Sequence, residues 1–150
     1  MAVHTRADAR RSVDAIHVAA REVLGRDAAP GLDEIAALLH SLADQFDADV
    51  HLEGGEPFLR DGIGEVLEGL PEQVLRTLTV TTNGTVRVPM DPEALRGLGA
   101  LRVSLDGHTD ELQQELRGTG LAPVLRTLRR FDADDVPYVV RMTLWRRNAG

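Results

Sequence analysis

The sequence predicts an α/β fold, a partial (βα) barrel of about four to five units with parallel strands inside and helices outside. Short segments rich in apolar and β-branched residues alternate along the chain with amphipathic helical segments. The intervals between these segments are too long for hairpins, which implies parallel pairing through right-handed crossovers. Because the units are too few to close a complete barrel, we expect an open, curved portion of a barrel or a small doubly wound sheet.

The first part of the chain, residues 1–31, fits this pattern least well. Apolar residues at helical spacing predict a helix over residues 9–24, although the short apolar run at residues 15–20 is also compatible with a strand. We therefore assign residues 1–31 to a helical segment or a degenerate first βα unit. Pro30 and Gly31 end it, and residues 32–150 form the predicted barrel core.

The core begins with an apolar stripe that predicts a helix over residues 32–46. Turn signals separate the elements that follow: Asn83 and Gly84 after a strand, and Asp91 and Pro92 at the start of a helix. The remaining predicted strands cover residues 49–52, 78–82, 101–105 and 138–144, and the remaining helices cover residues 62–70, 92–98, 110–116 and 123–131.

Composition excludes several classes of function. A formal net charge of -7 argues against general affinity for nucleic acid or anionic membranes. The absence of cysteine excludes a disulfide framework, a Cys-ligated zinc site, a thiol nucleophile and a Cys-held iron–sulfur cluster within this chain. No run is apolar enough for a membrane span, and the polar start lacks a signal-peptide core. We expect a cytoplasmic protein of one domain, with no nucleic-acid or membrane partner.

Polar, glycine-rich segments follow the predicted strands, and ligands of open α/β sheets bind at those carboxyl ends. Glycines let a ligand approach the backbone, and a carboxylate such as Glu56 accepts hydrogen bonds from an ammonium group. Each segment alone is also typical of an ordinary turn, but their succession predicts a polar small-molecule site. The segments are residues 53–57, 81–84 and 104–107, with Thr143 and Asn148 after the last strand.

Read in order, the motifs resemble the core of radical S-adenosylmethionine (radical SAM) enzymes over residues 32–148. They are Gly54-Gly55-Glu56-Pro57, Thr82-Asn83-Gly84-Thr85, Ser104-Leu105-Asp106-Gly107 and Arg117-Gly118-Thr119-Gly120. The resemblance is strongest to the SPASM-type branch, which modifies peptides and carries a C-terminal auxiliary-cluster extension. It implies SAM and an iron–sulfur cluster as cofactors, and reductive cleavage of SAM to a 5'-deoxyadenosyl radical in the complete enzymes.

The resemblance also implies roles for individual residues in a SAM pocket. Residues 54–57 would line the methionine end, with Glu56 receiving its amino group, and the end of the next strand would shape the same pocket. Ser104 and Asp106 would lie near the ribose or the methionine carboxylate, with Arg117 as a carboxylate partner. The complete set of candidates for SAM binding is Gly54, Gly55, Glu56, Pro57, Thr82, Asn83, Ser104, Asp106 and Arg117.

The sequence departs from the family where the family places three cysteines, spaced C-x3-C-x2-C, after its first strand. The corresponding stretch, within residues 11–27, contains His17 but no thiol. A cluster that leaves one iron free for SAM needs three thiolates, so we assign no catalytic residue and no metal ligand, and we expect no radical chemistry from this chain alone. His51 and Glu53 have the spacing of a metal pair on a strand, but no third ligand is evident and His51 is better explained as a packed or solvated neighbour.

Three interpretations follow from the sequence. The first is a degenerate or truncated radical SAM core that keeps a SAM-type pocket. The second is a non-catalytic binding module of a peptide-maturation system, which holds a peptide, complements a full-length radical SAM partner or self-associates through open sheet edges. The third is a truncated reading frame.

Overall fold

The computed structural model describes residues 31–45, 49–53 and 55–148. The predicted helix at residues 9–24 and its alternative strand lie outside these ranges. The strands are β1 (Val50–Leu52), β2 (Leu78–Thr82), β3 (Ala100–Ser104) and β4 (Val139–Arg141). The helices are α1 (Leu32–Gln45), α2 (Ile63–Glu68), α3 (Glu72–Leu75), α4 (Pro92–Gly97), α5 (Asp110–Arg117) and α6 (Leu121–Ala133), with a 3-10 turn at Pro57–Leu59.

The four strands form one parallel sheet in the order β1-β2-β3-β4. Val80 in β2 is level with Leu52 on one side and with Leu101 on the other. A doubly wound sheet reverses its strand order at a switch point, whereas the order of these strands follows the chain without reversal. The predicted α/β class and the open, partial barrel are therefore confirmed, and the doubly wound alternative does not apply to the described strands.

Burial is greatest in the two central strands. Val80 and Val103 have no exposed surface, since each is covered by neighbours on both sides of its strand and by the helical layer. Leu67 of α2, with Val124 and Phe131 of α6, supplies buried side chains to the same core. The edge strand β4, in contrast, is exposed along its whole length.

The ends of several elements differ from the prediction for identifiable reasons. The last strand was predicted to continue to residue 144, but the N–H of Thr143 donates to the Asp106 carboxylate (2.7 Å) and β4 ends at Arg141. Residues 53–57 were described from the sequence as a polar, glycine-rich segment that is also typical of an ordinary turn. A 3-10 turn begins at Pro57, because the Glu56 side chain caps it by accepting from the Phe58 N–H.

Two local features were not predicted. The four-residue helix α3, just before β2, has no clear periodic pattern in a segment so short. Asp91 occupies the cap position of α4 as expected, but its side chain makes no capping hydrogen bond. Its N–H donates instead to the Glu68 carboxylate, which ties α4 to the end of α2. Within the described ranges, no helix is long and apolar enough to cross a bilayer, and the cytoplasmic location stays a prediction.

Candidate functional site

The carboxyl ends of the strands meet around a branched cleft. Two adjoining cavities, of about 240 and 200 Å³, share part of their lining. The shared residues are Gly55, Asn83, Ser104 and Arg117. Gly55 and Asn83 follow β1 and β2, whereas Ser104 is the last residue of β3 and Arg117 is the last residue of α5. Consecutive βα units thus contribute to one wall, as the parallel sheet requires.

Each branch of the cleft has its own lining. The larger branch is further lined by Glu53, Thr81, Thr82, Arg141 and Thr143. The smaller branch is further lined by Gln113 and Thr119. Both branches are mainly polar and contain charged groups, which is suited to a small polar ligand rather than to an apolar one.

Glu56 connects the loop after β1 to the end of β2. Its Oε1 accepts from the Phe58 N–H (3.1 Å) and its Oε2 accepts from the Asn83 N–H (2.6 Å). The Thr82 hydroxyl lies 2.9 and 3.0 Å from the two carboxylate oxygens. With 9% exposure and both oxygens engaged, Glu56 has little accepting capacity left for a ligand. It fixes the positions of Gly55 and Asn83 from below the cleft.

The turn after β2 is held tightly against the core. The Asn83 Oδ1 accepts from the Thr85 N–H (2.8 Å) and hydroxyl (2.7 Å), and the Thr127 hydroxyl of α6 donates to the Gly84 carbonyl (2.7 Å). Gly84 has φ +71°, and a Cβ there would lie 2.9 Å from Val103 Cγ1. Glycine is required at this position by both conformation and space, so the Asn-Gly pair is structural and orients Asn83.

Asp106, buried to 3% exposure, organises the end of β3. Its Oδ2 accepts from Arg117 Nε (2.7 Å) and its Oδ1 from the Thr143 N–H (2.7 Å). The buried Gln113 Oε1 accepts from the N–H groups of Asp106 (3.0 Å) and Gly107 (2.7 Å). A Cβ at Gly107 would lie 2.2 Å from the Gln113 backbone nitrogen, so α5 approaches β3 closely only because this residue is glycine.

Asn148 closes the turn that follows β4. Its Nδ2 donates to the carbonyls of Asp106 and Thr143 (both 2.9 Å), and its Oδ1 accepts from the Trp145 N–H (2.7 Å). The turn is therefore fixed at both ends to the Asp106 segment. This arrangement keeps Thr143 at the rim of the larger branch.

A second acidic residue of the first loop, Glu53, has a different environment. Its Oε1 accepts from the Thr81 hydroxyl and from Arg141 Nη1, each at 2.9 Å. The hydrogen bond from Thr81 and then the positive charge of Arg141 hold the pKa of Glu53 below its ordinary value, against the opposing effect of partial burial. The side chains of Glu53 and Arg141 remain 38% and 49% exposed, so the pair lies in contact with solvent in the cleft.

The structure brings some of the predicted SAM-binding residues to the cleft and leaves others beneath it. Five line its walls: Gly55, Thr82, Asn83, Ser104 and Arg117. Glu56 and Asp106 lie under the wall as hydrogen-bonding centres, and Pro57 begins the 3-10 turn. Gly54 lies outside the described residues. The role of each toward SAM stays a prediction.

The sequence-based candidates for SAM binding omitted Arg141, Gln113 and Thr119, and they included Glu53 only within the polar segment 53–57 and as half of a possible metal pair. Thr119 stands in the quoted motif after Arg117, which offered a local signal. Arg141 lay inside a predicted strand and carried none. Within the described residues no group of three His, Cys, Asp or Glu side chains could hold a metal ion, and Glu53 is engaged by Thr81 and Arg141.

A sequence model of the radical SAM superfamily matches residues 11–148. The chain belongs to this superfamily. Curated relatives named GTP 3',8-cyclase include those of Listeria welshimeri (34% identical over 67% of this chain), Edwardsiella ictaluri (42% over 49%) and Stenotrophomonas maltophilia (34% over 68%). The chain spans 31%, 23% and 32% of the respective lengths of these relatives.

Membership of the radical SAM superfamily implies SAM and an iron–sulfur cluster, and the residues of this chain fit the two differently. The cleft offers a guanidinium, hydroxyl groups and an amide, which match the carboxylate, hydroxyl and ring-nitrogen groups of SAM. A thiolate-held cluster does not fit, because the sequence has no cysteine. The SPASM-type assignment gains no support from these relatives, whose names refer to a nucleotide cyclase.

Proposed function

We propose that this chain is a SAM-binding radical SAM core that holds no iron–sulfur cluster of its own. The observation that carries the proposal is the shared wall of the cleft, formed by Gly55, Asn83, Ser104 and Arg117. Consecutive units supply these residues in the order that the family motifs have along the chain. A single bound molecule that extends into both branches would contact all of them.

Arg117 is the residue that we assign to the methionine carboxylate. Its Nε is bound to Asp106, while its two Nη groups have no hydrogen bond to a described residue. A guanidinium fixed at one nitrogen presents its remaining donors in a defined direction, which suits a carboxylate. The Ser104 hydroxyl lies on the same wall and supplies a second polar contact.

Glu56 takes an indirect role in this proposal. The family resemblance implies that Glu56 receives the amino group of SAM, but its oxygens already accept from Phe58, Thr82 and Asn83. We propose that it positions Gly55 and Asn83, whose exposed polar groups contact the ligand instead. The proposal assigns no radical step to the chain, because the thiolates that such a step requires are absent from it.

We propose that the ligand that acts together with SAM is a nucleotide rather than a peptide. The support is the name that the curated relatives share, GTP 3',8-cyclase. Because this chain spans less than a third of their lengths, any nucleotide reaction would also involve residues that it does not contain.

The test is titration calorimetry of the purified chain with SAM, using matched variants. Ser104→Ala removes a wall hydroxyl without breaking a described hydrogen bond, and Arg117→Lys keeps the charge but loses the planar fork. We expect SAM affinity to fall about tenfold or more in Arg117→Lys and about threefold or more in Ser104→Ala, since each loses a polar contact. Arg129→Gln, on the exposed side of α6, serves as the control and should bind like the parent chain. A folded parent chain that binds no SAM, or variants that bind it equally well, would overturn the proposal.

A second candidate function is a binding module that acts through the β4 edge. Five large apolar side chains at or after this edge strand are exposed: Val139 (57%), Val140 (43%), Met142 (46%), Leu144 (73%) and Trp145 (54%). Exposed apolar residues at an edge strand, whose outer side pairs with no described strand, are typical of surfaces that pair with another chain. We propose a second copy of the chain as the occupant, which would pair its own edge strand with β4. Light scattering over a range of concentrations tests self-association, which Val140→Lys should abolish.

A further inference from the structure

The ion pair between Glu53 and Arg141 joins the two outermost strands of the sheet. Glu53 follows β1 and Arg141 ends β4, and their side chains meet at 2.9 Å over the two central strands. Both residues line the larger branch of the cleft, together with Thr81 and Thr143. The contact therefore stands at the place where a ligand in that branch would lie.

This pair has the properties of an exchangeable contact rather than of a structural one. The side chains are 38% and 49% exposed, and pairs of such exposure contribute little to stability. Asp106, in contrast, is 3% exposed and is held by Arg117 and by a backbone N–H. A ligand could replace Glu53 on Arg141 at small cost, but it could not displace Asp106 without exposing a buried charge.

Arg141 has further donors available for such a ligand. Only its Nη1 forms a hydrogen bond to a described residue, through the Glu53 carboxylate. The planar guanidinium matches phosphate oxygens in a bidentate manner, and the Thr81 hydroxyl beside it becomes free when Glu53 moves away. Arg117 lies on the wall of the same branch, so this branch is lined by two guanidinium groups, those of Arg117 and Arg141.

We propose that Arg141 binds a phosphate group of a second ligand in the larger branch, and that Glu53 holds Arg141 in place until that ligand displaces it. The assignment to a second ligand rests on the proposed function, which gives Arg117 to the carboxylate of SAM. Glu53 is then a competitor of the phosphate for the same guanidinium. Its removal should strengthen phosphate binding, whereas removal of Arg141 should abolish it.

The experiment titrates inorganic pyrophosphate into the full chain, in a buffer free of phosphate and sulfate, with calorimetric detection. We expect Glu53→Gln to bind about two- to fivefold more tightly than the parent chain, because it loses an exposed ion pair that competes with the ligand. Arg141→Gln should bind at least about fivefold more weakly, and the exposed Arg129→Gln should match the parent. Circular dichroism verifies that each variant is folded.

The opposite signs of the two effects make the proposal falsifiable. If the ion pair only stabilises the structure, Glu53→Gln and Arg141→Gln should both bind pyrophosphate as the parent chain does. That result would overturn the proposal. Parallel titration with SAM separates the two inferences. If Arg141→Gln weakens SAM binding while pyrophosphate does not bind, the anion is the carboxylate of SAM and a second-ligand site is ruled out. If no variant binds SAM but the pyrophosphate effects appear as expected, the proposed function fails and the phosphate contact stands.

Discussion

Two carboxylates of one loop, Glu53 and Glu56, lie three residues apart and have different environments. Glu56 is 9% exposed, and its hydrogen-bond donors among the described residues are uncharged groups of Phe58, Thr82 and Asn83. Glu53 has a 38% exposed side chain and is paired with Arg141 across the cleft. The comparison shows that the acidic residue in the recognisable family motif builds the loop, while the one outside the motif faces the space for a ligand.

Asp106 combines features of both. It is as buried as Glu56, yet it is paired with a cation, Arg117, whose side chain is 31% exposed and lines the cleft. Because Asp106 is buried, its hydrogen bonds stabilise the fold. Because it also holds Arg117, which lines the cleft, substitution of Asp106 should affect ligand binding as well. Three carboxylates at one edge of the sheet thus predict three different responses to substitution.

The largest effect is expected for Glu56→Ala. The substitution leaves the Thr82 hydroxyl and the N–H groups of Phe58 and Asn83 without their acceptor in a buried place. Loss of several hydrogen bonds to a charged group should lower the free energy of unfolding by about 3 to 4 kcal/mol. Urea denaturation measures it, with the exposed Glu65→Ala as a control that should change stability by less than about 0.5 kcal/mol. If Glu56→Ala changed stability as little as the Glu65→Ala control, the structural role assigned to Glu56 would be wrong.

An intermediate effect is expected for Asp106→Asn. The side chain keeps an oxygen for the Thr143 N–H but loses the charge that holds Arg117. Because Arg117 is partly solvated, we expect a loss of about 2 kcal/mol in the free energy of unfolding. SAM affinity should fall as well, since the guanidinium loses its anchor. Asp91→Asn, at an exposed position without a capping hydrogen bond, should alter neither quantity. Unchanged SAM affinity in Asp106→Asn would argue against the role assigned to Arg117.

The smallest effect on stability is expected for Glu53→Gln. An exposed pair of this kind contributes about 1 kcal/mol or less. Because the folded-state pKa of Glu53 lies below its ordinary value of 4.5, its contribution is complete above that value and is lost as the pH falls through the lower folded-state pKa. Urea titrations at neutral pH and in the acid range should therefore show a small difference between parent and variant that disappears in acid. A difference that grows in acid would contradict the lowered pKa.

Features encoded by short stretches of sequence could be predicted. β2 occupies the residues at which β-branched composition placed it, and the end of the next predicted strand differs by one residue. The polar segments after the strands form the cleft because the parallel arrangement itself brings them to one edge. Local pattern and topology were sufficient for this much of the site.

Features that depend on distant contacts could not be predicted. The Glu53 and Arg141 side chains are 88 residues apart in the sequence, and no local pattern around either residue indicates that they are in contact. The end of β4 is set by the Asp106 carboxylate, 37 residues before Thr143. The inward role of Glu56 was missed for the same reason: the donors that saturate it include groups on the next strand.

The uninterrupted order of the sheet has a consequence for how the chain acquires its structure during synthesis. Each strand pairs with the strand that precedes it in the sequence, so β2, β3 and β4 each find their template already synthesised. We therefore expect the sheet to form during synthesis by addition of one unit to an existing edge, since no strand has to wait for a distant segment. We expect β4, which is added last and has the least cover, to be the first strand to open again in hydrogen exchange.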